Sequence, residues 1–507
     1  MPNKFFITTP IYYVNDIPHI GHAYTSIATD FIARYKRMSG VDTLFLTGTD
    51  EHGQKIQKAA IKNSVEPIIL CNENSEKFRE LTNLLNLSND DFIRTTEQRH
   101  TDGAKALWNK LLDSDDIYLD KYKGWYSVSD ETFYNEKDLD KQTDGSFKTS
   151  TGGPVEWIEE ESYFFRLSKY SDRLLKLYEE NPDFIFPKSR KNEVVSFVKS
   201  GLKDLSISRN TFDWGIKVPN NEKHVMYVWL DALSSYPNSL GYILDKHSEL
   251  SSYWSNSTHI VGKDILRHHA VYWPAFLMSA QLDLPKRIFA HGWWTNEGNK
   301  ISKSLGNAID PIEIIQQFGL DQIRYFLLRE ITFGSDGDFS IEALKSRINS
   351  DLSNDLGNLC QRSLTMIVKH CDSHIPTNKN ITESDSHFLS RISVELANLT
   401  LHVDNQEINI YIKKIWDIIA SANKYFNDNK PWELKDTNKE SFDNVLYVTA
   451  EIIKQLGIMI YPIMPDTSNR ILNFYNIDIK DITLDMLNYD LTGTKMNEIK
   501  PLFPRVE

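Results

Sequence analysis

Cysteine is scarce: Cys71, Cys360 and Cys371 are the only three in 507 residues. The count is odd and no Cys-x-x-Cys spacing occurs, which argues against a disulfide framework and a four-cysteine zinc site. The economical compartment is a reducing one, and the expectation is a cytoplasmic protein. Positive charge is also short, since 57 Lys+Arg against 70 Asp+Glu leave a net charge of −13. That balance excludes a generally basic nucleic-acid coat; RNA could be met only through a local basic surface. Long apolar runs are missing as well. The best candidate, near Leu456 to Pro465, is interrupted by Pro462 and too short to cross a bilayer. Met1 to Thr9 lacks the apolar core of a secretory signal. No membrane partner is expected. What remains is an ordinary soluble composition, 40% apolar and 25% charged, in a chain long enough for roughly three domains.

Lys4 to Thr9 reads as a buried strand, followed by a loop between Pro10 and Pro18. A helix is predicted from about His19 to Met38, because Ile27, Ala28, Phe31, Ile32 and Tyr35 recur at helical spacing and Gly40 ends the pattern. Leu44 to Thr47 is a second strand, and the Gly48-to-Gly53 loop leads to another helix. Strand, helix, strand is a βαβ unit and implies a parallel sheet. From about 115 to 225 the pattern changes to short alternating runs among Tyr, Trp and Gly turns, an inserted β-rich module. The βα rhythm returns with a strand at Thr258 to Val261, a helix from Lys263 to Ala280 and a strand at Arg287 to Ala290. Beyond Ile341 the apolar positions Leu344, Ile348, Leu352, Leu356 and Leu359 predict a helical bundle. The expected division is 1–115, 116–225, 226–340 and 341–507: an α/β parallel sheet split by a β-rich insertion, then an all-α end.

Two short motifs carry chemistry. His19-Ile20-Gly21-His22 opens the first helix. Helix N-termini attract phosphate through free N–H groups and the macrodipole. Two imidazoles one turn apart can donate to phosphate oxygens, and Gly21 lets a flat base approach the backbone. A chance occurrence has an expectation on the order of 10⁻³, so two ordinary surface histidines are the poorer account. Lys300-Ile301-Ser302-Lys303-Ser304 lies beyond the last strand of the second half, between Gly298 and Gly306. It suits a polyphosphate whose charge grows during reaction, although alone it reads more readily as a solvated basic turn.

HIGH at the first βα turn and KISKS after the last strand together resemble the class I aminoacyl-tRNA synthetases. The chain is most similar to the methionyl-tRNA synthetases, through Thr8 to Asn15, Thr47-Gly48-Thr49-Asp50-Glu51-His52-Gly53, Tyr227-Val228-Trp229-Leu230-Asp231-Ala232, Gly262-Lys263-Asp264-Ile265 and Lys430-Pro431-Trp432. The resemblance implies a Rossmann-like catalytic sheet and an anticodon-binding bundle. It implies that methionine is activated with ATP to methionyl-adenylate and passed to the 3′ end of tRNA(Met), for initiation and elongation. His19, Gly21, His22, Gly262, Asp264, Lys300, Ser302 and Lys303 would hold ATP with Mg²⁺. Of these, His19, His22, Lys300 and Lys303 would be catalytic. Asp264 could equally be a helix N-cap. Ile11, Tyr13, Asp50, Trp229, Ala232, Leu233, Tyr236, Ile265 and His269 would bind methionine, with Asp50 on the α-ammonium and Tyr236 donating to the sulfur. Asn358, Arg362 and Trp432 would read the CAU anticodon.

The chain also departs from the family pattern. Ile301 stands where Met is common, a volume-conserving exchange. Ser127 and Asp130 stand where many relatives have the first Cys pair of a zinc knuckle, and Lys148 to Thr151 also lacks Cys and His, so no structural zinc is expected. The insertion looks too short for a hydrolytic editing domain. The C-terminal dimerisation module of some relatives is not seen, so a monomer is expected. Two other readings are a cysteine-specific synthetase, which would need a catalytic zinc, and a catalytically silent RNA-binding paralogue.

Overall fold

The computed structural model describes the chain except residues 1–3, 16–17, 128–131, 135, 143, 150–151, 297–298, 301–308, 378–380, 479, 481 and 507. For residues 122, 132–133, 296 and 299–300 it describes the backbone alone. The chain forms two compact units, one of residues 4–18 and 44–291, the other of residues 19–43 and 292–507.

The first unit is built on a parallel sheet in the order Ile185–Phe186, Arg287–His291, Ser257–Gly262, Lys4–Thr8, Asp42–Asp50, Tyr12–Tyr13, with Asp91–Arg94 also paired to Asp42–Asp50. The strand expected at Leu44 to Thr47 is longer and runs through Gly48 to Asp50. Gly48 stays in the sheet because the neighbouring strand is close: a Cβ there would stand 2.0 Å from the Ile93 carbonyl oxygen. The inserted stretch carries a four-stranded sheet in the order Leu205–Ser206, Glu156–Phe165, Ile117–Ser127, Thr132–Tyr134, whose long central pair is antiparallel. It also holds two helices, Ser171–Glu180 and Lys188–Lys199, and between them Ile185–Phe186, which joins the parallel sheet.

The helix expected from Lys263 to Ala280 is three successive pieces. They are a 3-10 turn Lys263–Ile265, a π-helix His268–Tyr272 and an α-helix Trp273–Ser279.

The second unit contains the helix Ile20–Met38 and, from Ile341, a run of helices. Leu344, Ile348, Leu352, Leu356 and Leu359 are all buried. Ile348–Gly357 is a π-helix, and its wide turn keeps residues spaced by four on one face. The helix Ile20–Met38 is fixed by residues several hundred positions later. Asp30 accepts from Arg34 Nε at 2.8 Å and Arg324 Nη2 at 2.6 Å, with Asp30 and Arg324 both fully buried. Arg324 donates further to the carbonyls of Pro462 and Ile463. Loss of one member of so buried a pair costs about 3–5 kcal/mol. No helix among the described residues is long and apolar enough to cross a membrane.

Candidate functional site

His19 is extended, at φ −137° and ψ 176°, and caps the helix Ile20–Met38. Its Nδ1 accepts from Gly21 N at 3.1 Å, and His22 Nδ1 accepts from His19 N at 3.1 Å. Both Nδ1 atoms are therefore acceptors, and each neutral ring carries its proton on Nε2, a donor suited to a phosphate oxygen. The rings lie 3.9 Å apart between centroids. This corrects one expectation. The first N–H groups of the helix are not free for phosphate, because Ile20 N donates to Ile309 O, Gly21 N to the His19 ring, and His22 N and Ala23 N to His19 O. Gly21 has a second reason besides close approach of a base: a Cβ would meet His19 Cε1 at 2.9 Å.

Lys300 ends a short hairpin, paired with Thr295 across the strands Trp294–Asn296 and Asn299–Lys300. Ser302 and Lys303 lie outside the described residues. Both flanks of their segment nevertheless reach the helix of His19. On one side Ile309 O accepts from Ile20 N at 3.3 Å. On the other, Trp294 packs edge-on against Tyr24 at 5.6 Å. Trp294 and Ile309, on either side of the second motif, thus both meet the helix that His19 caps.

In the first unit, three adjacent parallel strands deliver the residues assigned to methionine. Ile11 and Tyr13 follow Lys4–Thr8, Asp50 closes Asp42–Asp50 in register with Tyr13, and Ile265 and His269 follow Ser257–Gly262. Carboxyl ends of neighbouring parallel strands are the usual place for a ligand in such sheets. The helix Val228–Ser239 adds Trp229, Ala232, Leu233 and Tyr236, at i, i+3, i+4 and i+7 and so on one face. Ile11, Tyr13, Trp229 and Ile265 are half-buried against the same apolar cluster that holds Leu233 and Tyr236.

The rings at the back of this group fix the proton positions. His269 Nδ1 lies 2.9 Å from the Ile265 carbonyl, which can only accept, so Nδ1 carries the hydrogen. Burial drives the His269 pKa down to about 4, and the ring is neutral. Nε2 is then an acceptor, and Tyr236 donates its hydroxyl proton to it at 2.7 Å. Without a ligand, the Tyr236 hydroxyl proton is thus directed to His269, and its oxygen lone pairs remain. Sequence reasoning missed two further rings. His259 stacks on Tyr236 at 4.4 Å and hydrogen-bonds Thr8 at 2.9 Å. His268 stacks on Trp229 at 3.8 Å, inside the π-helix that also carries His269. No motif spacing distinguishes these from other histidines. Asp264 is exposed and sits within its 3-10 turn, whose N-cap is Gly262. The capping account fails, and Gly262 instead gives the carboxylate room, since a Cβ would stand 2.5 Å from Asp264 Oδ1.

In the helical unit Asn358 and Arg362 are both exposed on the helix Asn358–His370. The Arg362 guanidinium lies 5.4 Å from the Phe426 ring centroid and 5.7 Å from that of Trp432, and donates to Asn427 Oδ1 at 3.0 Å. Phe426 and Asn427 escaped the sequence reading because they come from another helix, Ile408–Asp428. Trp432 is 41% exposed, and left-handed Lys430, at φ 44°, leads into its short helix.

In the insertion Trp125 meets Phe147 at 4.8 Å and Trp157 at 5.4 Å, and Arg209 lies 4.0 Å over the Tyr126 ring. Asp130 of the knuckle comparison lies outside the described residues. Among the described residues no cluster of three His, Cys, Asp or Glu could hold a metal ion.

The family model described as tRNA synthetases class I (M) matches residues 5–364, and that described as the anticodon binding domain of methionyl tRNA ligase matches residues 375–498. A methionine–tRNA ligase of Rickettsia felis is 52% identical over 100% of this chain and 99% of its own length. One from Rhizobium meliloti is 51% identical over 99% of this chain and 98% of its own. Among solved structures, the Mycobacterium tuberculosis methionyl-tRNA synthetase in complex with methionyl-adenylate is similar at a TM-score of 0.96 and 46% identity, covering 99% of this chain and 100% of that one.

Proposed function

The chain belongs to the methionine–tRNA ligases of class I, and from that premise we propose how its own residues divide the work. It activates methionine with ATP and charges tRNA. In the first step a methionine carboxylate oxygen attacks the α-phosphorus, the bond to the β-phosphate oxygen breaks, and pyrophosphate leaves. In the second, the terminal adenosine hydroxyl of tRNA takes the methionyl group and AMP leaves. The attacking carboxylate is already an anion and needs no base, so positioning and charge stabilisation carry the rate.

His19 and His22 donate through Nε2 to the nucleotide phosphates. Lys300, Ser302 and Lys303 meet the pyrophosphate as its charge builds. The observation that carries this reading is the attachment of both flanks of the lysine segment to the His19 helix. Gly262 and Asp264 meet the nucleoside. Mg²⁺ would accompany ATP and offset the charge of its phosphates, with Lys300 and Lys303 beside it. Asp50 pairs with the methionine ammonium. Ile11, Tyr13, Trp229, Ala232, Leu233 and Ile265 form the wall around a polarizable thioether, with Tyr236 and His269 behind. Asn358, Arg362 and Trp432 read unstacked anticodon bases by amide, guanidinium and stacking contacts.

Pyrophosphate exchange with each of the twenty amino acids tests the assignment: methionine alone should support strong exchange. Cysteine-dependent exchange would favour the cysteine-specific alternative, and no exchange the silent paralogue. We further propose a cytoplasmic monomer without structural zinc, divided at the boundaries 115, 225 and 340. Purified protein should contain well under one zinc per chain by elemental analysis and show the mass of a single chain by light scattering. Stoichiometric zinc or a dimer mass would refute the corresponding point.

A further inference from the structure

Asp231 sits in the first turn of the helix Val228–Ser239, two residues past Trp229 and one before Ala232. It is 1% exposed. Each of its oxygens meets one imidazole: Oδ2 lies 2.7 Å from His52 Nδ1, and Oδ1 lies 2.6 Å from His100 Nε2. A carboxylate only accepts, so both ring nitrogens donate. Burial opposes the charge, but the two histidines outweigh it and hold the carboxyl down to about 2. Its place near a helix N-terminus favours the anion further.

The two histidines come from different elements. His52 lies two residues beyond Asp50, and its carbonyl accepts from the Tyr13 hydroxyl at 3.0 Å. Its ring meets Trp214 edge-on at 5.5 Å. His100 lies on the helix Gln98–Asp113 and is steadied by Asn238, whose Nδ2 donates to His100 O at 3.2 Å and lies 3.4 Å from Nδ1. Asn238 gains access because position 103 is glycine: a Cβ there would stand 1.9 Å from Asn238 Oδ1. The carboxylate thus ties the segment bearing Asp50, to which Tyr13 hydrogen-bonds, to the helix bearing Trp229 and Tyr236, and both to a second helix, Gln98–Asp113.

We propose that Asp231 is a positioning residue for methionine, a charged clamp that acts through His52 to set the Asp50–Tyr13 side of the pocket against the Trp229–Tyr236 side. The inference rests on the methionine-pocket reading given above. Asparagine at this position satisfies one imidazole and turns an NH₂ group toward the other, so one arm of the clamp opens while volume is kept.

Pyrophosphate exchange, with methionine and ATP varied separately, tests it on the wild type, Asp231→Asn, His52→Leu and His52→Asn. Asp231→Asn and His52→Leu should raise KM for methionine about tenfold or more, with KM for ATP within about twofold. His52→Asn places an amide N–H where Nδ1–H stands and should restore most of the loss. Equal rises in both KM values overturn the proposal, as does an unchanged methionine KM in a variant of lowered Tm, which is what a purely structural role gives. Should Asp231→Asn fail to fold, the two His52 variants decide the matter. A wild type without methionine-dependent exchange would instead overturn the pocket reading itself.

Discussion

Replacing Lys303 by alanine should slow methionyl-adenylate formation by about 10²–10³-fold while leaving methionine affinity within a few-fold. The asymmetry follows from where charge appears. Methionine binds by its ammonium and thioether, neither of which meets the lysine segment in this scheme. Negative charge grows on the leaving pyrophosphate only as the bond to the α-phosphorus breaks, so a cation placed there stabilises the transition state more than the bound substrates. The segment is suited to this because Lys300 ends a hairpin and Ile309 is bonded to the first residue of the His19 helix. Single-turnover measurement of adenylate formation is the test. A rate within threefold of wild type would remove Lys303 from the chemistry, and a large loss of methionine affinity would relocate it.

The second large effect is on stability. His259 and His269 are fully buried, and His268 lies flat on Trp229. Burial lowers the pKa of all three, that of His269 to about 4. Against an unfolded value near 6.5, the folded chain binds fewer protons than the unfolded chain throughout the interval from about 6.5 to about 4. The sign is therefore fixed. The stability these rings contribute is complete above about pH 6.5 and is lost as pH falls toward 4. Two to three protons give a slope of about 3–4 kcal/mol per pH unit. The unfolding midpoint should fall by roughly 4 °C between pH 7.5 and 5.5. His259→Phe, which keeps a ring against Tyr236, should reduce the slope by about one proton. A midpoint that stays level over that range would contradict the burial argument.

What could be read from the sequence was whatever a local pattern encodes. Apolar spacing located the strand at Lys4–Thr8, the helix at Ile20–Met38 and the helices after Ile341. The family motifs brought out Arg362 and Trp432, whose guanidinium and ring lie 5.7 Å apart, and Asn358, which stands four residues before Arg362 on the same helix. Contacts made across long loops were not legible. The Asp30–Arg324 pair joins residues 294 apart, and the three rings Tyr236, His259 and His269 come from two strand–helix segments. The π-helix at His268–Tyr272 was read as plain α-helix, because its apolar residues satisfy either period. The direction of the Tyr236 proton was beyond sequence altogether. It is set by a backbone carbonyl four residues before His269, and no residue type announces that.

In the anticodon role proposed for it, Arg362 would enter an encounter with RNA already held in place. Long side chains ordinarily surrender up to about 2 kcal/mol of rotational freedom when they are immobilised at an interface. Here two aromatic rings and the Asn427 amide impose that restriction while the bundle folds. A base arriving at this guanidinium finds a rigid ledge, so its binding energy should appear mainly as a slower departure of the nucleic acid, with the rate of arrival left to the overall charge.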